Sequence, residues 1–275
     1  MNIYLVIILA ILVGNYALNL IVERLNIRHL KTDLPKEFEG YYDAAEYKTS
    51  QNYLKENTSF GIVTTSIFLA ITLTFILAGG FNIVDQWARN FQLGPILTGL
   101  IFAAVLLLTY QILHLPFSVY DTFVIEEKYD FNRTSVKTFI LDRLKGWLLI
   151  ALIGGAAFSG ILWFFGEAGN LAWLYCWIAV TLFQILLAFI APVVIMPLFN
   201  KFIPLEEGEL RKAIEGYAQS QGFKMKGFFK MDGSQRSTKS NAFFTGFGRF
   251  RRIVLFDTLI TWPSYCRRCV GGGRA

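Results

Sequence analysis

The sequence predicts an α-helical polytopic membrane protein with five transmembrane helices, followed by the start of a small α+β unit. Three observations lead there. The chain is 54% hydrophobic and 17% charged, and its mean hydropathy of +0.45 lies outside the range of an ordinary soluble domain. Residues 3–22, 60–81, 96–117, 147–165 and 171–195 each run for 19 or more residues without Asp, Glu, Lys or Arg; a helix rising about 1.5 Å per residue needs roughly 20 to cross about 30 Å of hydrocarbon. Beyond Ile195 the chain turns charged and contains its main strand-forming segment outside the spans, Ser234 to Ile260.

The first span has no basic residue ahead of it, and positive charge follows at Arg24 and Arg28. It therefore reads as a retained anchor rather than a signal peptide. In its middle, Asn15 and Asn19 lie four apart on one helix face. There they can bond to a neighbouring helix or line a wet cavity, and interhelical bonding is the expectation. The loop that follows carries mixed charge, with Tyr42, Glu46, Tyr53 and Phe60 at helical spacing, and predicts a helix continuous with the second span. Asn57-Thr58-Ser59 and Asn132-Arg133-Thr134 have the form of glycosylation sequons.

Lys and Arg number six between Glu23 and Ser59, one between Asn82 and Pro95, five between Ser118 and Gly146, none between Gly166 and Asn170, and fourteen after Ile195. The positive-inside rule then places the first and third loops and the C-terminal region in the cytoplasm and the N-terminus outside, so neither sequon is expected to be modified. The net charge of +6 calls for no nucleic acid, because basic residues beside spans are drawn to an anionic inner leaflet.

In the third span Gln111 and His114 share a face, with His114 within about one turn of its end. Ala151, Gly155 and Ser159 give the fourth span a small-residue face suited to close helix packing. In the third loop, Glu126, Glu127 and Asp142 are expected on a solvated face, with Lys128 and Arg143 as partners, rather than as a general acid and base. Pro192 and Pro197 are expected to break the fifth helix. A helix follows over 206–221, with Leu210, Ile214 and Tyr217 on one face and Gly222 to stop it. A strand is expected at Gly227–Met231, then a hairpin of Ala242–Gly248 and Arg252–Ile260 joined by Gly248-Arg249-Phe250-Arg251. Asn241 precedes the hairpin, whose edge suits an extended peptide added as a further strand. The plainer reading of Phe243, Phe244 and Phe247 is a small core.

Four blocks in order carry a family resemblance: EYKTSQNYLKENTSFGIV (46–63), FSVYDTFVIEEKYDFNRTSVKTFILDRLKG (117–146), PLFNKFIPLEEGEL (197–210) and SNAFFTGFGRFRRIVLFDTLI (240–260). Together they resemble the CAAX prenyl endopeptidases of type 1, integral-membrane zinc metalloproteases, from near the N-terminus to Ile260. The resemblance implies that residues 1–199 form a membrane domain and residues 200–260 begin a cytoplasmic metalloprotease domain. It further implies peptide-bond cleavage by zinc-activated water near a prenylated or membrane-associated C-terminus, in a bacterial inner membrane or an endoplasmic reticulum membrane. Membrane lipids and a peptide or prenylated protein substrate are the implied partners. Asn241, Ala242 and Phe243 are the candidate substrate-binding residues; no catalytic residue and no metal ligand is assigned.

The family's chemistry rests on a His-Glu-x-x-His helix with the intervening Glu as general base. The only histidines here are His29 and His114, so zinc is implied for the intact family and none is expected to bind this chain. A lone Cys266-Arg-Arg-Cys269 has no second ligand pair and no histidine beyond position 114 with which to complete a zinc site. Residues 261–275 depart from the pattern in composition, which leads to the expectation of a shifted reading frame or a truncated gene and of an inactive chain. The alternative is a non-enzymatic membrane protein that keeps a peptide- or lipid-binding cavity. A transporter finds no support in internal repeats or intramembrane charge. A Ser/Lys protease on Ser237 or Ser240 with Lys239 fails because neighbouring strand residues face opposite ways.

Overall fold

A computed structural model describes residues 2–40, 43–223, 225–246 and 251–260. The tail with Cys266 and Cys269, together with Tyr42, Phe247 and the connection 248–250, therefore lies outside the described residues. Among the described residues five helices are long and apolar enough to cross a membrane, in agreement with the expected fold class. The chain divides into two compact units, Met1–Asp130 and Phe131–Ala275.

In the first unit α1 (Ile3–His29) starts on an Asn2 cap, and α2 (Ala44–Leu77) on Asp43, whose Oδ1 accepts from the Ala45 and Glu46 amides at 2.8 and 2.9 Å. These caps satisfy first-turn donors that have no helical partner. As the spacing predicted, α2 runs unbroken from the charged loop into the second span. The span itself ends four residues before the expected Phe81. Gly79 takes φ +71°, open to glycine at little steric cost, and the chain turns into α3 (Gly80–Arg89), a short amphipathic helix absent from the sequence reading. A Cβ on Gly80 would fall inside contact distance of the Phe75 ring. The next helix, α4 (Gly94–Tyr120), contains Pro116 and passes into a π turn over Asp121–Glu126.

Between α1 and α2 the direct side-chain bond is Tyr16 Oη to Ser66 Oγ, 2.6 Å. Asn15 and Asn19 instead line a cavity of about 650 Å³ with Glu23, Asn57 and Thr65. The expected role of these asparagines as interhelical bonds is thus corrected: the hydroxyl pair bridges the helices, and the asparagines line the cavity. The ring of His114 packs against Phe68 and Tyr110, with centroids at 5.4 and 5.8 Å.

The second unit opens with α5 (Val136–Leu149), capped by Ser135, which continues through a π turn (Ile150–Gly154) into α6 (Gly155–Glu167). Next, α7 (Ala172–Ile190) continues through a second π turn (Ala191–Ile195) into α8 (Met196–Phe199). Pro192 therefore does not break this helix as expected. Its missing N–H is absorbed by the wider turn, and the helix ends at Asn200.

A four-stranded sheet follows, in the order β1-β2-β4-β3. β1 (Phe202–Pro204), which the sequence reading lacked, lies antiparallel to β2 (Gly227–Met231). β2 runs parallel to β4 (Arg252–Phe256), and β3 (Ala242–Thr245) closes the far edge antiparallel to β4. The expected hairpin is present, but its second strand stops at Phe256 and Asp257–Ile260 forms a helical turn, α10. There Asp257 accepts from the Ser234 and Thr258 amides.

Leu205, Phe228 and Leu255 form the buried centre of the sheet's helix-covered face, with Leu210 and Ile214 of α9 (Glu209–Ser220) against it. The packed stripe of α9 is Leu210, Ile214 and Ala218; Tyr217, expected on that face, is 70% exposed. Val254, 2% exposed, is buried on the opposite face, as strand alternation requires.

Two outcomes are expected in detergent-solubilised protein. Gly80→Ala lowers stability by about 1–3 kcal/mol through the forced displacement of Phe75, read as a shift of the unfolding midpoint. Leu255→Ala costs about 2–5 kcal/mol by opening a cavity under α9, with faster amide exchange in β2 and β4.

Candidate functional site

The candidate site is the outer edge of β3. Register pairs Ala242 with Leu255, Phe243 with Val254, Phe244 with Ile253 and Thr245 with Arg252. The Phe256 amide donates to the Asn241 carbonyl at 3.0 Å, so Asn241 and Phe256 form a hydrogen-bonded pair. Antiparallel ladders alternate; the main-chain groups of Phe243 and Thr245 therefore point to β4, while those of Ala242 and Phe244 point away from the sheet.

The outward Ala242 amide donates to the side-chain Oδ1 of Asn241 at 2.8 Å. The Asn241 amide thus occupies the position that the carbonyl of an added strand would take. Phe244 is 65% exposed although it stands on the same face as Leu255, because β3 lies beyond the cover of α9. Phe243 is half-buried and meets Phe256 edge-on at 6.3 Å. The core expected for Phe243 and Phe244 is thus supplied only in part, by Phe243.

The loop into β3 is held on both sides. Gly233 lies under Phe256, where a Cβ would clash with the ring. Ser234 Oγ donates to Asp257 Oδ2, and Thr258 Oγ1 donates to the Lys239 carbonyl at 3.2 Å. The Lys239 ammonium sits 5.0 Å over the Phe131 ring.

Lys128 and Asp142, singled out in the third loop, have partners outside it. Lys128 pairs with Glu56 at 2.6 Å, and Tyr129 Oη donates to the same carboxylate at 2.6 Å. Those hydrogen bonds to Glu56 raise the pKa values of both Lys128 and Tyr129. Glu126 accepts from Tyr53 Oη at 3.3 Å. Asp142 is held not by Arg143, whose guanidinium lies 5.1 Å over Phe139, but by Arg236, at 2.8 Å. Ninety-four residues separate that last pair, so no local spacing rule could have joined them.

Among the described residues no group of three or more His, Cys, Asp and Glu is placed to hold a metal ion. His29 bonds through Nδ1 to the Leu25 carbonyl at 2.8 Å, and His114 is packed among aromatic rings. Cys176 is a buried free thiol. The described side chains do not fit a catalytic zinc.

The profile of the family described as "CAAX prenyl protease N-terminal, five membrane helices" matches residues 23–201, and that of "Peptidase family M48" matches residues 204–263. The probable CAAX prenyl protease 1 of Schizosaccharomyces pombe is 37% identical over 266 residues, which is 90% of this chain and 55% of the relative. CAAX prenyl protease 1 of Saccharomyces cerevisiae is 36% identical over 245 residues, 85% of this chain and 54% of its own. The crystal structure of S. mikatae Ste24p superimposes with a TM-score of 0.87 at 34% identity, over 98% of this chain and 64% of that one. This chain thus spans about half the length of the curated relatives it matches. Its helices, its sheet and the aligned sequence agree: the chain belongs to the CAAX prenyl protease 1 family of M48 membrane metalloproteases.

Proposed function

We propose that this chain supplies the membrane helices and the substrate-receiving edge strand of a zinc endopeptidase that processes CAAX-type prenylated or membrane-associated proteins. The observation that carries this is the β3 edge: within a family of membrane proteases, an edge strand offers outward main-chain groups at Ala242 and Phe244, which suit strand addition by an extended peptide. Asn241 swings off the Ala242 amide as the peptide carbonyl takes its place. Phe243 fixes the strand by its ring contact with Phe256, and the exposed Phe244 ring offers apolar contact beside the scissile segment. In this reading residues 1–199 act as the membrane domain and residues 200–260 as the beginning of the protease domain. The N-terminus lies outside, and the C-terminal region lies in the cytoplasm with the basic loops.

The 275 residues include no His-Glu-x-x-His sequence. By themselves they are proposed to bind no catalytic zinc and to hydrolyse no peptide. A non-enzymatic role, capture of a peptide or lipid in a retained cavity, is the second reading, favoured by the polar groove between α1 and α2.

Ala242→Pro is the sharp test of the edge, because it removes an N–H that faces away from β4 and leaves the ladder whole. The expected outcome is at least tenfold weaker capture of a farnesylated peptide with an unchanged melting temperature; equal capture by both proteins sinks the edge reading. Zinc titration of the purified chain is expected to give no stoichiometric high-affinity binding and no zinc-dependent cleavage. Metal-dependent turnover would overturn the inactive assignment.

A further inference from the structure

The guanidinium of Arg236 meets four acceptors from two other elements. Its Nε and Nη2 donate to Asp142 Oδ2 and Oδ1 of α5 at 2.8 and 3.1 Å, Nη1 to Asn200 Oδ1 at 2.9 Å, and Nη2 to the Phe199 carbonyl at 2.6 Å. Phe199 and Asn200 end the helix that carries the fifth span, so the bond to Phe199 satisfies a terminal carbonyl without a helical partner. Lys145 does the same for Leu198 at 2.8 Å, and both cations stand at the negative end of that helix. Beside this joint is a cavity of about 280 Å³.

The main chain of the same residue is also engaged. The Arg236 carbonyl accepts from the Arg133 amide at 3.0 Å and from Thr134 Oγ1 at 3.1 Å. Ser237 bridges Asn132, a buried polar residue, and the Thr238 amide donates to the Phe131 carbonyl at 3.1 Å. A second strap closes nearby: Asp232 Oδ1 accepts from the Lys201 amide at 2.7 Å. Only five residues lie between Arg236 and the first residue of β3, a short tether.

We infer that Arg236 is a positioning residue, which through Asp142, Asn200 and the Phe199 carbonyl sets where the β3 edge sits relative to the fourth and fifth spans. The consequence for substrate rests on the peptide reading of that edge: a lipid-bearing peptide would have to meet the membrane helices and the edge strand together, so the distance between them becomes part of recognition. Three observations favour positioning over simple packing. Four of the five N–H donors of arginine's planar fork are used, in two directions, which a lysine's single ammonium does not reproduce. The side chains of Arg236 and Asp142 are only 25% and 23% exposed, so either one left without the other is a partly desolvated charge. The guanidinium contacts all run from the loop to α5 and the end of α8, and none of them is part of the sheet ladder.

The test uses the full chain in nanodiscs with its three cysteines replaced and spin labels at Leu141 and Phe244, reporting α5 to β3, or at Tyr217 and Phe244, reporting α9 to β3. Arg236→Lys and Arg236→Ala are each expected to at least double the width of the α5 to β3 distance distribution and to leave the α9 to β3 distribution unchanged. Broadening of both distributions would make Arg236 a packing residue of the sheet, and no change in either would remove the role; each result overturns the inference. Should Arg236→Ala fail to fold, Arg236→Lys and Asp142→Asn give the same reading. In parallel, the unlabelled chain and Arg236→Lys are compared for capture of a farnesylated peptide, with at least a tenfold loss expected. Absence of capture by the unmodified chain overturns the peptide reading of the edge, and the distances alone then decide the positioning inference.

Discussion

Inside hydrocarbon every peptide N–H and C=O has to find its partner within the protein, because no water is there to replace it. That constraint sets the form of most of this molecule. It requires unbroken helices over the five apolar stretches. It also explains why Pro116 and Pro192 sit within continuous helices rather than ending them: the lost donor is absorbed locally, at Pro192 by a π turn that keeps the neighbouring groups bonded.

Where the fifth apolar helix ends, the same need for partners builds the junction with the sheet. The last carbonyls before Asn200 are taken by Lys145 and Arg236 rather than left to solvent. A terminus capped by charged side chains of other segments becomes a fixed point; the loop between β2 and β3 is tied to it through the side chain of Arg236, while the Arg236 carbonyl is held by Arg133 and Thr134. The sheet's own core, around Leu205, Phe228 and Leu255, is small. A unit of this size gains by leaning on the helices beside it.

The β3 edge shows a different economy. Open edges invite unwanted pairing, and here the outward Ala242 amide is covered by its neighbour Asn241. One short side chain satisfies that outward donor without a further strand. Nothing in the described side chains supplies the metal chemistry of the intact family, whose relatives extend well beyond the matched length.

The sequence by itself determined what depends on local composition and period. The five spans, the run of α2 out of the second span, β2 at Gly227–Met231 and the pairing of β3 with β4 were all legible, since apolar length, helical spacing and β-branched or aromatic runs act within a few residues. The placement of Asn241, Ala242 and Phe243 at the head of an edge strand was legible for the same reason. Only the tertiary structure decided that Asp142 belongs to Arg236 and Lys128 to Glu56. Ion pairs across many tens of residues leave no periodic trace, and nearer residues such as Arg143 look equally suitable on paper. It also decided that Tyr217 faces outward while Ala218 is buried, that α3 folds back after Gly79, and that β1 joins the sheet, because each depends on which surface is presented to it rather than on its own residues.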